Sequence, residues 1–337
     1  MRRFRMAAVL AGVALVGTAA SPIPPAIGPA ALAPGSRVWL HAHNCYPDKG
    51  AWPDRLERAL GTRLPWIAVE QDLAWAPGPV PGGGQPVVAH DTPLLGDEPT
   101  LEAHFFARVT PLLERALAEG QRDRWPVFVL HLEFKTNEPE HHQAVWALLG
   151  RYERFLTTAA KEPDGSPPSP LRVGPLLVIA ESGEATFSAR VPAGGTLRVF
   201  GMVPQREWSD EEKKQRHLFA ADVLVPSGAT SYRRFVNLPW DAVEADGPDA
   251  GGDWTPVDAA RLRALVAREH AQGLWIRFYA LNGHAPDAGQ GWSASYNFGT
   301  LDAARVRWRA AIDAGVDFVA TDQYEDFALE WQRALRR

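Results

Sequence analysis

Apolar residues in this chain gather in short runs, and the longer stretches between the runs carry helical spacing. The runs predict strands over 37–43, 66–72, 86–90, 127–133, 176–180, 197–201, 235–238, 274–280 and 317–321. Most are apolar almost without a break, as strands covered on both faces are. The intervening stretches predict helices over 101–119, 138–159, 256–272, 301–314 and 325–336. Pro139 falls in a first helical turn, where its missing N–H does no harm, and Gly273 and Gly315 stand where helices stop. The βαβ rhythm runs without a mid-chain linker or an internal repeat, and 160–170 and 246–253 read as surface loops. The expected fold class is therefore α/β, a single-domain TIM-type (β/α)8 barrel over 36–337.

Composition supports a packed domain: 46% of the 337 residues are hydrophobic, 22% are charged, and there are 13 Trp and 14 Phe. That excludes a disordered, fibrous or polytopic membrane chain. The net charge is −5, and losing Arg2, Arg3 and Arg5 would make it more negative, which disfavours nucleic acid as a partner. The single cysteine, Cys45, excludes an internal disulfide and a Cys-rich zinc cluster. Residues 1–20 open with those three arginines, continue in an apolar run over 6–16 and end in Gly17, Thr18, Ala19 and Ala20. This is the layout of a secretory signal, and the run is short of the roughly 20 residues a spanning helix needs. Residues 21–35, with five prolines, read as a flexible leader. A secreted monomer is expected. No basic amphipathic stretch follows, so contact with a membrane surface is expected to be transient at most.

In a parallel barrel, residues at the carboxyl ends of the strands converge on one face. Four successive runs end in chemistry-bearing residues: His41-Ala42-His43-Asn44, Glu70-Gln71-Asp72, His90-Asp91, and His131-Leu132-Glu133-Phe134-Lys135. Side chains two apart on a strand share a face, so Glu70 projects with Asp72, and Glu133 with Lys135. Three carboxylates and an amide oxygen near one point form a hard, oxygen-rich pocket suited to Ca²⁺ or Mg²⁺. Two imidazoles outside that set could serve as general base and general acid. Cleavage of a phosphodiester divides its labour in this way, with Lys135 as a cation for the phosphate oxygens.

These residues resemble the ordered motifs of the phospholipase C-like phosphodiesterase superfamily: His43-Asn44-Cys45-Tyr46, Glu70-Gln71-Asp72, His90-Asp91 and Glu133-Phe134-Lys135. The resemblance covers roughly 37–135 and is nearest the calcium-dependent phosphoinositide-specific branch, whose first motif is Ser-His-Asn-Thr-Tyr. It implies a TIM-type barrel, with His43 and His90 as catalytic imidazoles. It also implies Asn44, Glu70, Asp72 and Glu133 as ligands of one divalent cation, Ca²⁺ first and Mg²⁺ second. Lys135 is implied near the phosphate of a phospholipid or small phosphodiester substrate. Cys45 departs from the usual residue and reads as a packed neighbour. The glycerophosphodiesterase branch has His-Arg-Gly at the first strand, and that Arg is absent here.

Other signals compete. His41-x-His43 with Asp322 also resembles the start and end of zinc amidohydrolase barrels, but His217, His270 and His284 do not fall at strand ends. Asp322 could instead anchor a hydrogen-bond network at the mouth. Arg277 points with Tyr279 and could clamp phosphate, or could be paired with Glu181 or Asp322. Both Arg277 and Tyr279 are expected at the substrate, with Trp292, Tyr296 and Asn297 as a possible aromatic wall. His141-His142 read as a solvated helix start, and 77–84 as a turn-rich connection on the active face. A barrel that binds a phosphorylated or carbohydrate ligand without catalysis is the alternative from another class.

Overall fold

The computed structural model describes residues 32–80, 83–245, 247–249, 252–285, 287–288, 290 and 294–336. The signal at 1–20, most of the leader at 21–35, and Trp292 lie outside the described residues. No helix among the described residues is long and apolar enough to cross a membrane.

The strands are β1 (Trp39–Ala42), β2 (Ile67–Pro77), β3 (Gly84–Val88), β4 (Phe128–Phe134), β5 (Ala159–Ala160), β6 (Leu176–Ala180), β7 (Thr196–Leu197), β8 (Phe200–Met202), β9 (Arg233–Pro239), β10 (Trp275–Tyr279) and β11 (Phe318–Thr321). The helices are α1 (Arg55–Gly61), α2 (Ala107–Glu119), α3 (Pro139–Arg151), α4 (Asp210–Lys214), α5 (Ala221–Leu224), α6 (Pro256–Ala271), α7 (Leu301–Ala314) and α8 (Tyr324–Ala334). Eight strands pair in parallel in the order β1-β2-β4-β6-β8-β9-β10-β11, and β11 pairs back to β1, with Trp39 beside Phe318. The ring is closed, as the apolar runs predict. Alternation along each strand turns residues such as Leu40, Val69, Leu130 and Phe278 toward the helices, where all are buried. Burying each contributes about 1.5–3 kcal/mol.

Local signals account for the helix ends. Thr255 and Asp258 form a reciprocal capping box at the start of α6 with Pro256 in the first turn. α7 starts on the Thr300 side chain and stops at Gly315 in the left-handed conformation.

Two expectations are corrected. The run at 86–90 is not a barrel strand: β3 folds back antiparallel on β2, with Trp75 opposite Pro86. A proline with no N–H to give fits the outer arm of a hairpin better than a central strand. Gly84 is needed there because a Cβ would lie 2.4 Å from the Trp75 ring. The turn-rich connection is thus the hairpin loop, with 81 and 82 outside the described residues. The helix expected over 138–159 stops at Arg151. After one 3-10 turn over Glu153–Phe155, Leu156 and Thr157 run beside β6, where the Thr157 N–H donates to the Leu176 carbonyl.

Candidate active site at the barrel mouth

Strand register builds the site. β2 and β4 place Glu70 beside His131 and Asp72 beside Glu133, all four on the interior face. Like charges side by side on neighbouring strands repel, so Asp72 and Glu133 need a cation between them. Lys135 supplies it, with its Nζ 2.9 Å from Asp72 Oδ2 and in contact with Glu133 Oε1. Despite burial, Lys135 holds the Glu133 carboxyl down at about 2. Burial and the neighbouring Glu133 and Glu70 push Asp72 well above its ordinary value.

Glu70 is the hinge of the arrangement. Its Oε2 accepts from Arg277 Nη2 at 2.6 Å and lies 3.6 Å from His41 Nδ1, while Oε1 lies 3.9 Å from His43 Nε2. Burial raises its carboxyl to about 8, against the pull of Arg277. Below it, His41 Nε2 and His131 Nδ1 are 2.9 Å apart, and His131 Nε2 reaches Glu181 Oε1 at 3.3 Å. Burial and the nearby Arg277 charge hold His41 neutral. Arg277 completes the layer by donating to Asn237 Oδ1 at 2.7 Å, and Asn237 donates to Glu181 at 2.7 Å.

His43 belongs to a second network. Its Nδ1 lies 2.8 Å from Asp322 Oδ1 and also 2.8 Å from the Asn44 amide nitrogen. Asn44 Nδ2 reaches Asp322 Oδ1 at 3.1 Å as well. Burial would raise the Asp322 carboxyl, but His43 and Asn44 hold it below its ordinary value. An ionised carboxylate is the stronger acceptor, so in the neutral imidazole the Nδ1 proton goes to Asp322 and the lone pair is left on Nε2, on the Glu70 side. Asn282 fixes Asp322 from behind: its Oδ1 accepts from the Asp322 N–H at 2.7 Å, and its Nδ2 donates to Oδ2 at 3.2 Å.

Asn44 takes the left-handed conformation, φ +50, that Asn tolerates, and its carbonyl accepts from Arg55 Nη1 at 2.8 Å. Its Oδ1, expected as a metal ligand, sits 3.0 Å from the Tyr46 hydroxyl, which donates to Asp72 Oδ2 at 2.6 Å. Tyr46 thus ties the His43 network to the carboxylates. Among the described residues, Glu70, Asp72 and Glu133 offer oxygens all within 4.8 Å of one another. Asp72 Oδ1 is buried with no hydrogen-bond partner.

His90 sits just past the hairpin arm β3, with Nδ1 2.8 Å from Asp91 and Nε2 4.0 Å from Asp72 Oδ2. It is the more exposed of the two expected imidazoles. Tyr296 packs edge-on against His43 and against Tyr279, with ring centroids 5.6 Å and 6.0 Å apart. The expected zinc-type set of His41, His43 and Asp322 is not brought together, because His43 turns to Asp322 while His41 turns to Glu70 and His131, whose nitrogen and oxygen atoms lie within 4.8 Å of one another and form a second, deeper group of metal-ligating type. Arg277, expected as a possible phosphate clamp, spends its guanidinium on Glu70 and Asn237. Cys45 is buried, and burial pushes its thiol up, as suits a packed neighbour. His141 and His142 are buried too, not a solvated helix start: both rings pack on Phe134.

Sequence reading named Tyr46 without giving it a role, and missed Asn237 and Asn282. Asn237 and Asn282 sit inside or after apolar strands, a position that signals nothing until the barrel closes.

No protein-family model matches this chain, and no curated protein matches it in sequence. Among solved structures, its neighbours include the glycerophosphoryl diester phosphodiesterase from Parabacteroides distasonis. That match has 11% identity and a TM-score of 0.41, covering 88% of this chain and 86% of that one. The glycerophosphodiester phosphodiesterase from Agrobacterium tumefaciens is 13% identical with a TM-score of 0.35, over 88% of this chain and 99% of that one. The dihydropteroate synthase from Burkholderia cenocepacia is 16% identical with a TM-score of 0.34, over 89% and 91%. The fold assignment stands on the strand pairing, and the chemistry on the residues of the mouth.

Proposed function

We propose that this chain is a secreted phosphodiesterase that uses a divalent cation to cleave a phospholipid head group or a small soluble phosphodiester. The observation that carries this reading is the meeting, at one barrel mouth, of an Asp322-oriented imidazole with three clustered carboxylates. The donor set fits a hard cation: three carboxylates, and one orphaned buried oxygen on Asp72. Glu70, Asp72 and Glu133 would hold the ion, Ca²⁺ or Mg²⁺, beside Asn44 and Tyr46. When bound, it neutralises the phosphate and acidifies the attacking hydroxyl.

The remaining work belongs to the chain. Asp322 fixes the tautomer and rotation of His43, so Nε2 takes the proton of the attacking hydroxyl. Lys135, anchored on Asp72 and Glu133, presents its charge to the phosphate oxygens. His90 in its protonated form gives a proton to the leaving alkoxide. Tyr296 covers His43 and keeps bulk water from it. A substrate with a hydroxyl next to the phosphate would be attacked internally and give a cyclic product, whereas other substrates need water. The arrangement of residues 1–20 supports export.

The test is turnover of a panel of chromogenic inositol, choline and glycerol phosphodiesters with Ca²⁺, Mg²⁺, Zn²⁺ or EDTA. Activity with a hard cation that EDTA abolishes is expected. Binding of a cation without cleavage of any diester would favour the non-catalytic barrel.

A further inference from the structure

Beside the mouth lies a cavity of about 550 Å³ whose lining includes Tyr279 and Tyr296 and the cations Lys213, Lys214 and Arg216. Tyr296 is shared between this cavity and the catalytic imidazole, since its ring packs against both His43 and Tyr279. Tyr296 therefore borders both the His43 ring and the cavity.

The residues of the lining include three cations, Lys213, Lys214 and Arg216, against the acid Asp241. Arg216 is buried, and its Nη1 donates to both carboxylate oxygens of Asp241, at 2.5 and 2.6 Å, which neutralises that one acid of the lining. Its Nε has no hydrogen-bond partner among the described residues. Lys213 and Lys214 are then in excess. Among the described residues each pairs with an exposed acid three residues away on α4, Asp210 at 2.9 Å and Glu211 at 3.1 Å. Such solvent-exposed pairs are weak and leave the ammonium groups available.

We infer that this cavity is a subsite for a second anionic group, a carboxylate or phosphate monoester, carried by the substrate on the part that lies over Tyr279 and Tyr296. The inference rests on the phosphodiesterase reading and adds to it the substrate class: a phosphodiester bearing a further anion. The rings supply an apolar face for the linking carbons, and the lysines supply charge-assisted hydrogen bonds at its end.

The test compares three p-nitrophenyl diesters whose second alcohol is glycerol, glycerate or glycerol 3-phosphate. In the wild type, kcat/KM for at least one anionic diester should exceed that for the glycerol diester about tenfold, mainly through KM. The better of the two anionic arms identifies whether carboxylate or phosphate is read. In Lys213→Gln/Lys214→Gln the ratio should fall to near one. These side chains are 51% and 65% exposed, so the double variant is expected to fold. A wild-type ratio of one or less, or an unchanged ratio in the variant, overturns the subsite. Failure to turn over any of the three with any cation is instead failure of the phosphodiesterase reading. In that event calorimetric titration with inorganic phosphate decides the cavity. Binding by the wild type that the double variant loses upholds an anion site, and equal binding, or none, overturns it.

Discussion

The two ends of the barrel treat buried charge in opposite ways. At the amino end, Asp317 is saturated: Oδ1 accepts from the Gly35 N–H at 2.7 Å, and Oδ2 from the Ile276 N–H and His270 Nε2, both at 2.9 Å. Arg37 is likewise spent on the carbonyls of Asp123, Arg124 and Pro126 while it covers the Trp66 ring at 4.7 Å. At the carboxyl end, Asp72 and Glu133 are register neighbours, Glu70 is pushed up to about 8, and Asp72 Oδ1 has no hydrogen-bond partner among the described residues. One end uses charge to sew the closing strands together. The other keeps acids in tension that a ligand can relieve, which is where a barrel carries its chemistry.

Three substitutions or titrations would break or sharpen that contrast. The largest effect is expected for His43→Ala, with turnover down about a thousandfold and cation binding by calorimetry retained, because a positioned base contributes about 10²–10⁴-fold. A smaller loss would remove His43 from the chemistry. At the opposite end, Asp317→Ala should cost about 3 kcal/mol in urea unfolding, since it orphans the buried Ile276 N–H and takes the acceptor from the Gly35 N–H and from His270. Activity per folded molecule should not change. If it did, the division between the two ends would be wrong.

The smallest effect concerns pH. Burial lowers His104 and His141 to about 4, below the ordinary value of 6.5. The unfolded chain then binds more protons than the folded one between those values. Their contribution is fully present above pH 6.5 and is lost as pH falls toward 4, at most about 3 kcal/mol for each. Raised acids such as Glu70 and Asp72 pull the slope the other way, so the measurement is a difference: as pH falls through that window the urea midpoint of the wild type should drop relative to that of His141→Gln. A difference that does not change with pH would mean that His141 is not held neutral.

Much of this was legible in the chain. Unbroken apolar runs gave all eight barrel strands, and the polar residues that end them marked the mouth, because strand periodicity is local and survives without the fold. β3 was misread as a barrel strand for the same reason, since the period of a hairpin arm is also two. Pro86 was the local clue to an outer arm. The helix expected over 138–159 failed because Leu156 is apolar in either conformation, and only the neighbouring β6 selects the extended one.

From order and spacing alone, the amino-acid sequence determined a closed parallel barrel and the residues gathered at its carboxyl end. Closure decided the partnerships: His43 with Asp322, 279 residues away, Arg277 with Glu70, 207 residues away, and Tyr46 between Asn44 and Asp72. Those contacts depend on which strands become neighbours and in what register, and on how far each group is withdrawn from water. Neither is a property of any one segment, so the acids acquire their shifted protonation and the imidazole its orientation only in the folded molecule.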